Sequence, residues 1–171
     1  VLSYLCMNTK NFSYMKYLPI DAKLFIKNRA KFVKRLKKNA IAILNSNDIM
    51  PTNADGTMPF RQNNDLFYLS GVDQEESILV LYPDCPNPKH REVLFLKKTS
   101  PEIAIWEGEK LTAEKAFETS GIETVYWKED FEKVFKTMIF EADHVYLSDN
   151  EHLRASNPVQ TRDDRFRDWC Q

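Results

Sequence analysis

Residues 58–71 read Met-Pro-Phe-Arg-Gln-Asn-Asn-Asp-Leu-Phe-Tyr-Leu-Ser-Gly, and residues 102–108 read Glu-Ile-Ala-Ile-Trp-Glu-Gly. The first stretch places a run of polar, hydrogen-bonding side chains directly before an aromatic and apolar segment. That segment, Asp65–Ser70, has the composition of a β-strand and is followed by Gly71, so we predict a strand there. The polar run must then lie beside an element that is at least partly buried.

The polar run contains four side chains that we group as a loop clamp: Arg61, Gln62, Asn63 and Asp65. Burying such groups without partners costs roughly 1–3 kcal/mol each, so they must bond to one another or to the backbone. In a structural interpretation, the Arg61 guanidinium donates paired hydrogen bonds to a carboxylate or to loop carbonyls. The Asn and Gln side chains then hold the loop 45–58 in place. In a functional interpretation, the same loop is presented at the edge of a cleft. The side-chain chemistry favours the structural interpretation, and both stay open at this point.

Helical and strand-like patterns alternate along the rest of the chain. Asp21 is a good N-cap for a helix whose apolar side chains recur at helical spacing: Ala22, Phe25, Ile26, Ala30, Val33 and Leu36. Short apolar runs predict strands at 40–44, 78–82, 92–96, 124–127 and 144–147, with 77–98 as a hairpin. Further helices are predicted from Ser100, at 112–119, around 131–139 and after Thr161. This order predicts an α/β fold in which a mixed sheet of about five or six strands is covered by helices on both faces.

Size and composition limit the class of protein. A chain of 171 residues with 43% apolar and 29% charged residues fits one soluble domain. No apolar run approaches the roughly 20 residues needed to span a bilayer, so no membrane partner is expected. Only four glycines are present, which argues against a dinucleotide-binding or P-loop fold. The absence of C-x-x-C spacing favours a reducing, cytoplasmic location over a disulfide framework for the three cysteines, Cys6, Cys85 and Cys170.

The net charge of −1 hides an uneven distribution. Residues 21–38 carry eight basic side chains and a single acid, Asp21. The simplest interpretation is that these bases form the solvated face of an amphipathic helix, and the alternative is a docking face for an acidic partner surface. No aromatic stacking groups or known docking motif accompany the bases, so nucleic-acid binding is not expected.

The sequence contains no recognisable catalytic or metal-binding pattern. No partner at metal-ligand spacing stands beside any of the three histidines, His90, His144 and His152, so no metal site is predicted. There is also no G-x-S-x-G motif. Adjacent acids such as Glu75-Glu76 and Asp163-Asp164 point in different directions in a regular element, and we interpret them as solvated surface.

Trp106 is the other candidate for a functional side chain. It follows a short predicted helix and comes just before Glu107-Gly108, where an indole is often exposed at a loop tip. An exposed tryptophan usually serves as an interface or binding anchor. The alternative is an indole that folds back on the core of its own domain.

Two motifs in this order carry a resemblance to a known family. Residues 59–63, Pro-Phe-Arg-Gln-Asn, and 65–71 together resemble a motif of the N-terminal domain of Xaa-Pro aminopeptidase (aminopeptidase P), in the creatinase/prolidase superfamily. Asn64 stands where a serine is usual in that motif. Residues 102–108 resemble the family's E-x-W-x-G element, with one additional residue between Glu102 and Trp106. The resemblance runs from about Met15 to residue 171, so residues 1–14 are expected to be disordered or a non-native start.

The resemblance implies a fold for this chain and a separate catalytic domain in the same polypeptide. It implies a three-layer, ribonuclease-H-like domain whose partner in the same polypeptide is a C-terminal "pita-bread" catalytic domain. That catalytic domain, which lies outside this chain, would hold two Mn²⁺ ions and remove the residue before a penultimate proline. No catalytic or metal-binding residue is therefore expected in residues 15–171, and the isolated chain is expected to be inactive.

The resemblance also implies partners and site residues. In family members the N-terminal domain mediates oligomerisation and lends residues to the rim of a neighbouring subunit's active site. By motif position these residues would be Asp55, near the free amino terminus of the substrate, and Trp106, against its prolyl ring. The expected partners are the catalytic domain, further copies in a dimer or tetramer, and a peptide with a penultimate proline. The alternatives are a stand-alone binding or oligomerisation module and the N-terminal domain of a prolidase or creatinase relative.

Overall fold

The computed structural model describes residues 19–149 and 160–171, which form five strands, six α-helices and two short 3₁₀ helices, Pro88–His90 and Lys128–Asp130. The strands are β1 (Ala40–Asn45), β2 (Ile78–Leu81), β3 (Glu92–Leu96), β4 (Thr124–Trp127) and β5 (His144–Leu147). The helices are α1 (Ala22–Val33), α2 (Asn64–Ser70), α3 (Pro101–Glu107), α4 (Ala113–Ser120), α5 (Phe131–Ile139) and α6 (Arg162–Cys170). The prediction for residues 1–14 lies outside the described residues.

The strands form one mixed sheet in the order β4-β3-β2-β1-β5. β2 runs antiparallel to both β1 and β3, which gives the predicted hairpin, whereas β4 is parallel to β3 and β5 is parallel to β1. Four strands therefore point the same way, and their last residues lie at one end of the sheet together with the first residue of β2. We call this end the carboxyl end of the sheet.

Helices cover both faces of the sheet, as predicted. Successive side chains of a strand point to opposite faces, so Ile41 and Ile43 enter one core while Ala42 and Leu44 enter the other. The first core is completed by α5 and α6, with Phe131, Phe135, Met138 and Phe166. The second core is completed by α1, α2 and α4, with Phe32, Leu66, Leu69 and Ala116. The α/β prediction with a mixed sheet is confirmed.

The predicted strand at Asp65–Ser70 is wrong, because this segment is helix α2. Asn63 caps the helix: its Oδ1 accepts hydrogen bonds from the backbone amides of Asp65 (3.0 Å) and Leu66 (3.2 Å). Gly71 ends it in the left-handed conformation with φ +72°. A short apolar run has no period long enough to separate strand from helix, so the two caps decide the local structure.

The buried face of α1 also differs from the predicted apolar stripe. Ile26 is 45% exposed, while Asn28 and Arg29 are buried and the Arg29 side chain is fully so. The other seven basic side chains of residues 21–38 are exposed, which agrees with the solvated-face interpretation. Periodicity alone missed Arg29 because a buried cation needs partners that come from distant segments.

The remaining predicted elements agree with the structure to within a residue or two. Asp21, Ser100 and Thr112 cap α1, α3 and α4 with their side chains. Thr161 begins α6 with a capping box that includes Asp164. Across the described ranges, no helix combines the length and the apolar content that crossing a bilayer requires.

Candidate functional site

The two predicted rim residues lie on segments that leave the same end of the sheet. Asp55 is in the long connection between β1 and α2, and Trp106 is on α3, which follows β3. β1 and β3 run in the same direction on either side of β2, so both connections start at the carboxyl end of the sheet. Connections at such an end commonly form binding sites in α/β folds. The topology thus starts both segments at the same end of the sheet, although they are about fifty residues apart in sequence.

Asp55 lies at the tip of a turn that the backbone holds. Pro51 and Thr57 pair as an antiparallel bridge, and the Met58 amide donates to the Met50 carbonyl at 2.8 Å. Inside this bridge, the Thr52 amide donates to the Gly56 carbonyl at 2.9 Å. Asp55 is exposed, and its carboxylate makes no hydrogen bond or ion pair with another described residue. The turn therefore presents a solvated negative charge at a defined place.

Trp106 is 89% exposed and its neighbour Ile105 is 77% exposed. Their helix, α3, contains no buried residue, so Trp106 does not fold back on the core of the domain. An indole carries a large apolar surface and one donor, and burying it against a partner is favourable. Two adjacent apolar side chains presented this way are typical of a surface that contacts a ligand or another chain.

Gln62 and Asn63 have structural roles in the loop clamp. Gln62 is buried, and its Nε2 donates to the carbonyls of Val72 (3.1 Å) and Gln74 (2.8 Å). Its Oε1 accepts from the Asn63 amide at 2.8 Å, and Asn63 caps α2. These bonds fasten the segment between α2 and β2, not the loop 45–58 that the sequence suggested.

Arg61 and Asp65, the other two clamp residues, are exposed. The predicted paired hydrogen bonds from Arg61 to a carboxylate or to loop carbonyls are not formed. The Arg61 guanidinium has no hydrogen-bond or ion-pair partner among residues 19–149 and 160–171. Contact with the preceding loop comes instead through the backbone, where Asn47 Nδ2 donates to the Arg61 carbonyl at 3.0 Å. Water can solvate both exposed charges, so neither needs a protein partner.

A network of charged side chains at the carboxyl end of the sheet was missed from the sequence. Glu76 accepts a hydrogen bond from Lys128 and lies 3.6 Å from Lys97. Lys97 Nζ in turn lies 2.5 Å from Glu107 Oε2, at the end of α3. The interpretation of Glu75-Glu76 as solvated surface is therefore wrong, and Glu75 is in fact buried and paired with Lys110. The only local signal was the position of these acids directly before a buried strand.

The network fixes the ionisation of its members. The hydrogen bond with Glu107 raises the pKa of Lys97 above its ordinary value, against the opposing effect of burial. Burial alone would raise the pKa of Glu76, but the hydrogen bond from Lys128 and the charges of Lys128, Lys97 and Arg162 lower it. Lys97 and Glu76 are therefore both charged at neutral pH, and the network is a set of ion pairs.

Asp163 is a second acid whose surroundings differ from the predicted solvated surface. Burial raises the pKa of Asp163, against a hydrogen bond from Asn45 Nδ2 of 2.8 Å to its Oδ1. Its helix neighbour Arg162 donates to Ser46 Oγ at 3.0 Å. These contacts dock α6 onto the last residues of β1, at the same end of the sheet.

Comparison with protein-family models decides the identity of the domain. The model described as "Aminopeptidase P, N-terminal domain" matches residues 25–146, which is more than half of the chain. The chain belongs to this family. The match includes both rim candidates and every clamp residue.

The curated relatives of this aminopeptidase P N-terminal domain are peptidases that are longer than this chain. Xaa-Pro aminopeptidase 3 of Homo sapiens is 31% identical over 103 residues, which cover 59% of this chain and 19% of that protein. Xaa-Pro aminopeptidase of Escherichia coli is 24% identical over 148 residues, 86% of this chain and 33% of that protein. The chain thus spans about a fifth to a third of the relatives it matches.

Solved structures support the same fold. A structure of a putative aminopeptidase P from Bacillus anthracis superposes with a TM-score of 0.78 and 26% identity, over 88% of this chain and 35% of that one. Pseudomonas aeruginosa aminopeptidase PepP gives a TM-score of 0.74 and 25% identity, over 90% of this chain and 33% of that one. The sheet order and its two helical layers are therefore those of an aminopeptidase P N-terminal domain.

Side chains that could bind a metal ion are scattered over the described part of this domain. Within residues 19–149 and 160–171, no group of three or more His, Cys, Asp or Glu side chains is placed to hold a metal ion. The two Mn²⁺ ions that the resemblance implies would need carboxylate and imidazole ligands gathered around one point. The described residues provide no such ligand set, and no step of chemistry is assigned to them.

Proposed function

We propose that this chain is the N-terminal domain of an Xaa-Pro aminopeptidase, that it mediates oligomerisation, and that it presents Asp55 and Trp106 at the active-site rim of a neighbouring subunit. The observation that carries the proposal is the 89% exposure of Trp106 on a helix without buried residues. No residue that the structure describes covers this indole. A partner surface or a substrate would cover it.

The two rim residues suit a peptide that begins with a free amine and continues with proline. The amine is mostly protonated at neutral pH, so the exposed Asp55 carboxylate attracts it. The prolyl ring is apolar and conformationally restricted, and it can pack on the Trp106 indole with little loss of entropy. In this proposal the domain binds and orients the substrate. Two Mn²⁺ ions in the catalytic domain supply the Lewis acid and the activated water.

We also propose that the protein works in a reducing compartment such as the cytoplasm. Cys85 is buried and Cys170 is exposed, and both are free thiols in the structure. Burial raises the pKa of the Cys85 thiol, and partial covering of the Cys170 sulfur raises the pKa of that thiol, so neither is poised for rapid oxidation.

The isolated 171-residue chain is expected to show no Xaa-Pro peptidase activity, because the residues that the structure describes contain no ligand set for catalytic metals. The measurement is release of the first residue from a peptide with a penultimate proline, by the chain and by the complete gene product. Only the complete product should cleave, and a chelator should abolish the cleavage. Cleavage by the chain alone would contradict the proposal. A reading frame that stops soon after residue 171 would favour a stand-alone module.

In the complete enzyme, Trp106→Ala is expected to raise KM for proline peptides about tenfold, the effect of losing one well-packed aromatic contact. Asp55→Asn should raise KM by a smaller factor, about threefold, because its charge is exposed and screened. Bound metal, measured by elemental analysis, should stay unchanged in both variants.

Phe140→Ala is the matched control for these variants. Phe140 is 87% exposed but lies just before the first residue of β5, at the opposite end of the sheet. Its loss should leave KM unchanged. An unaltered KM in Trp106→Ala would remove Trp106 from the substrate site.

A subunit-mixing experiment tests whether the rim is shared between subunits. Trp106→Ala subunits are mixed with subunits that keep Trp106 but carry an inactivated metal site. If Trp106 acts across the interface, mixed oligomers regain a low KM that neither parent has. If mixing leaves the KM of the Trp106→Ala parent in place, each subunit supplies its own rim.

A further inference from the structure

Helix α3 lacks the apolar anchor that usually fixes a helix. It has seven residues, and none of them is buried. A helix this short is unstable by itself in water, because nucleation is unfavourable and few hydrogen bonds follow. Interactions at its two ends therefore add to the contacts of the half-buried Ile103 and Ala104 in holding the helix in place.

At the first end, Ser100 Oγ accepts a hydrogen bond from the Ile103 amide at 3.3 Å, and Pro101 starts the helix. At the other end, Glu107 is the last helical residue. A carboxylate there is unfavourable by itself, because the carbonyl end of a helix carries partial negative charge. Lys97 Nζ, at 2.5 Å from Glu107 Oε2, compensates that charge.

Lys97 is itself held in place by the sheet. It directly follows the last residue of β3, and its side chain is only 26% exposed. Glu76, which lies 3.6 Å from Lys97, is bound on its other side by Lys128 at the end of β4. The charges alternate in sign from Lys128 through Glu76 and Lys97 to Glu107. The chain of ion pairs thus runs from the rigid sheet to the residue next to Trp106.

We infer that Lys97 is a positioning residue: held by Glu76, it fixes the orientation of α3 through Glu107 and so sets where Trp106 meets the substrate. This inference rests on the proposed function of Trp106. It gives the ion pairs at the carboxyl end of the sheet a role in substrate binding, although none of them contacts the substrate. Loss of the Lys97 charge would leave Glu107 uncompensated at the helix end and let α3 fray.

The first test is hydrogen exchange of the complete enzyme, followed by mass spectrometry on peptides that cover α3. In Lys97→Met, the amides of Ala104 and Gly108, which close the two turns of the helix, should exchange roughly two- to fivefold faster. Peptides from β1 and β2 should not change. Lys97→Arg keeps the charge and should restore the slow exchange.

Lys98→Met is the matched control. Lys98 is the exposed neighbour of Lys97, and it forms no hydrogen bond or ion pair with any other residue in the described part of the chain. The substitution Lys98→Met removes a positive charge, as Lys97→Met does, but leaves the ion-pair network intact. The amides of α3 should therefore exchange at the same rate as in the parent enzyme.

The second test is the KM of the same variants for proline peptides. Lys97→Met should raise KM roughly two- to fivefold with kcat unchanged, and adding it to Trp106→Ala should raise KM no further. Unchanged exchange of α3 in Lys97→Met would overturn the inference, whatever Trp106→Ala does. Faster exchange with an unchanged KM would also overturn it, provided that Trp106→Ala raises KM. If Trp106→Ala has no effect, the proposed rim function fails instead.

Discussion

Replacing Arg29 by methionine is expected to lower the free energy of unfolding by about 3–5 kcal/mol, the range for breaking one side of a buried charged network. The Arg29 side chain is fully buried. Its Nε donates to Glu92 Oε2 at 2.9 Å, and its Nη1 donates to the carbonyls of Leu69 (2.8 Å) and Ser120 (2.9 Å). One guanidinium thus joins α1 to α2, α4 and β3.

The expected loss comes mainly from the two carbonyls. Leu69 and Ser120 lie in the last turns of α2 and α4, where backbone carbonyls have no partner inside their own helix. Without Arg29 each is left buried and unpaired, at a cost of about 1–3 kcal/mol. The Glu92 side chain is partly exposed and can be rehydrated, so its share is small.

Urea unfolding of the chain followed by circular dichroism measures this loss, provided that the slope with denaturant stays constant. Lys27→Met is the control, since it removes an exposed base from the same helix and should change stability by less than about 0.5 kcal/mol. An equal loss of unfolding free energy in the two variants would show that the buried hydrogen bonds of Arg29 do not stabilise the domain.

Gly71→Ala is expected to lower the free energy of unfolding by about 2–5 kcal/mol, from backbone strain plus overpacking. Gly71 has φ +72°, where a Cβ atom is disfavoured. That Cβ would also lie 2.3 Å from Cε2 of Phe25, whose ring is buried and packs edge-on against Phe67. Neither the ring nor the helix end can move away without disturbing the core.

Gly121→Ala separates the two contributions. Gly121 also has φ +72°, but its Cβ would meet Cδ1 of Ile26, the end of a flexible and partly exposed side chain. Only the strain should remain, about 1–2 kcal/mol. Thermal and urea unfolding of both variants give the comparison. A loss in Gly71→Ala no larger than that in Gly121→Ala would mean that the Phe25 contact relaxes freely.

Much of the candidate site could be predicted only through the family motif. Asp55 was proposed only from its position relative to that motif. Trp106 was also a candidate from its local sequence, because an indole just before Glu107-Gly108 is often exposed at a loop tip. The structure adds that both lie on connections from the carboxyl end of the sheet and are solvent-exposed. It also adds the ion pairs that hold α3, which join Glu76, just before β2, to Lys97, just after β3.

Local sequence patterns were enough to predict the five observed strands, most helix boundaries and the α/β class, because caps, turns and apolar periods act over a few residues, and the two motifs were enough to indicate the family. The helix at residues 64–70 is fixed locally by its caps, Asn63 and Gly71. The burial of Arg29 and the partners of Glu75 and Glu76 depend instead on the assembled tertiary structure. Arg29 meets Glu92 and Ser120 at separations of 63 and 91 residues. Such contacts form only once the sheet and its helices are assembled, because the partners of a buried charge are chosen by distance in space.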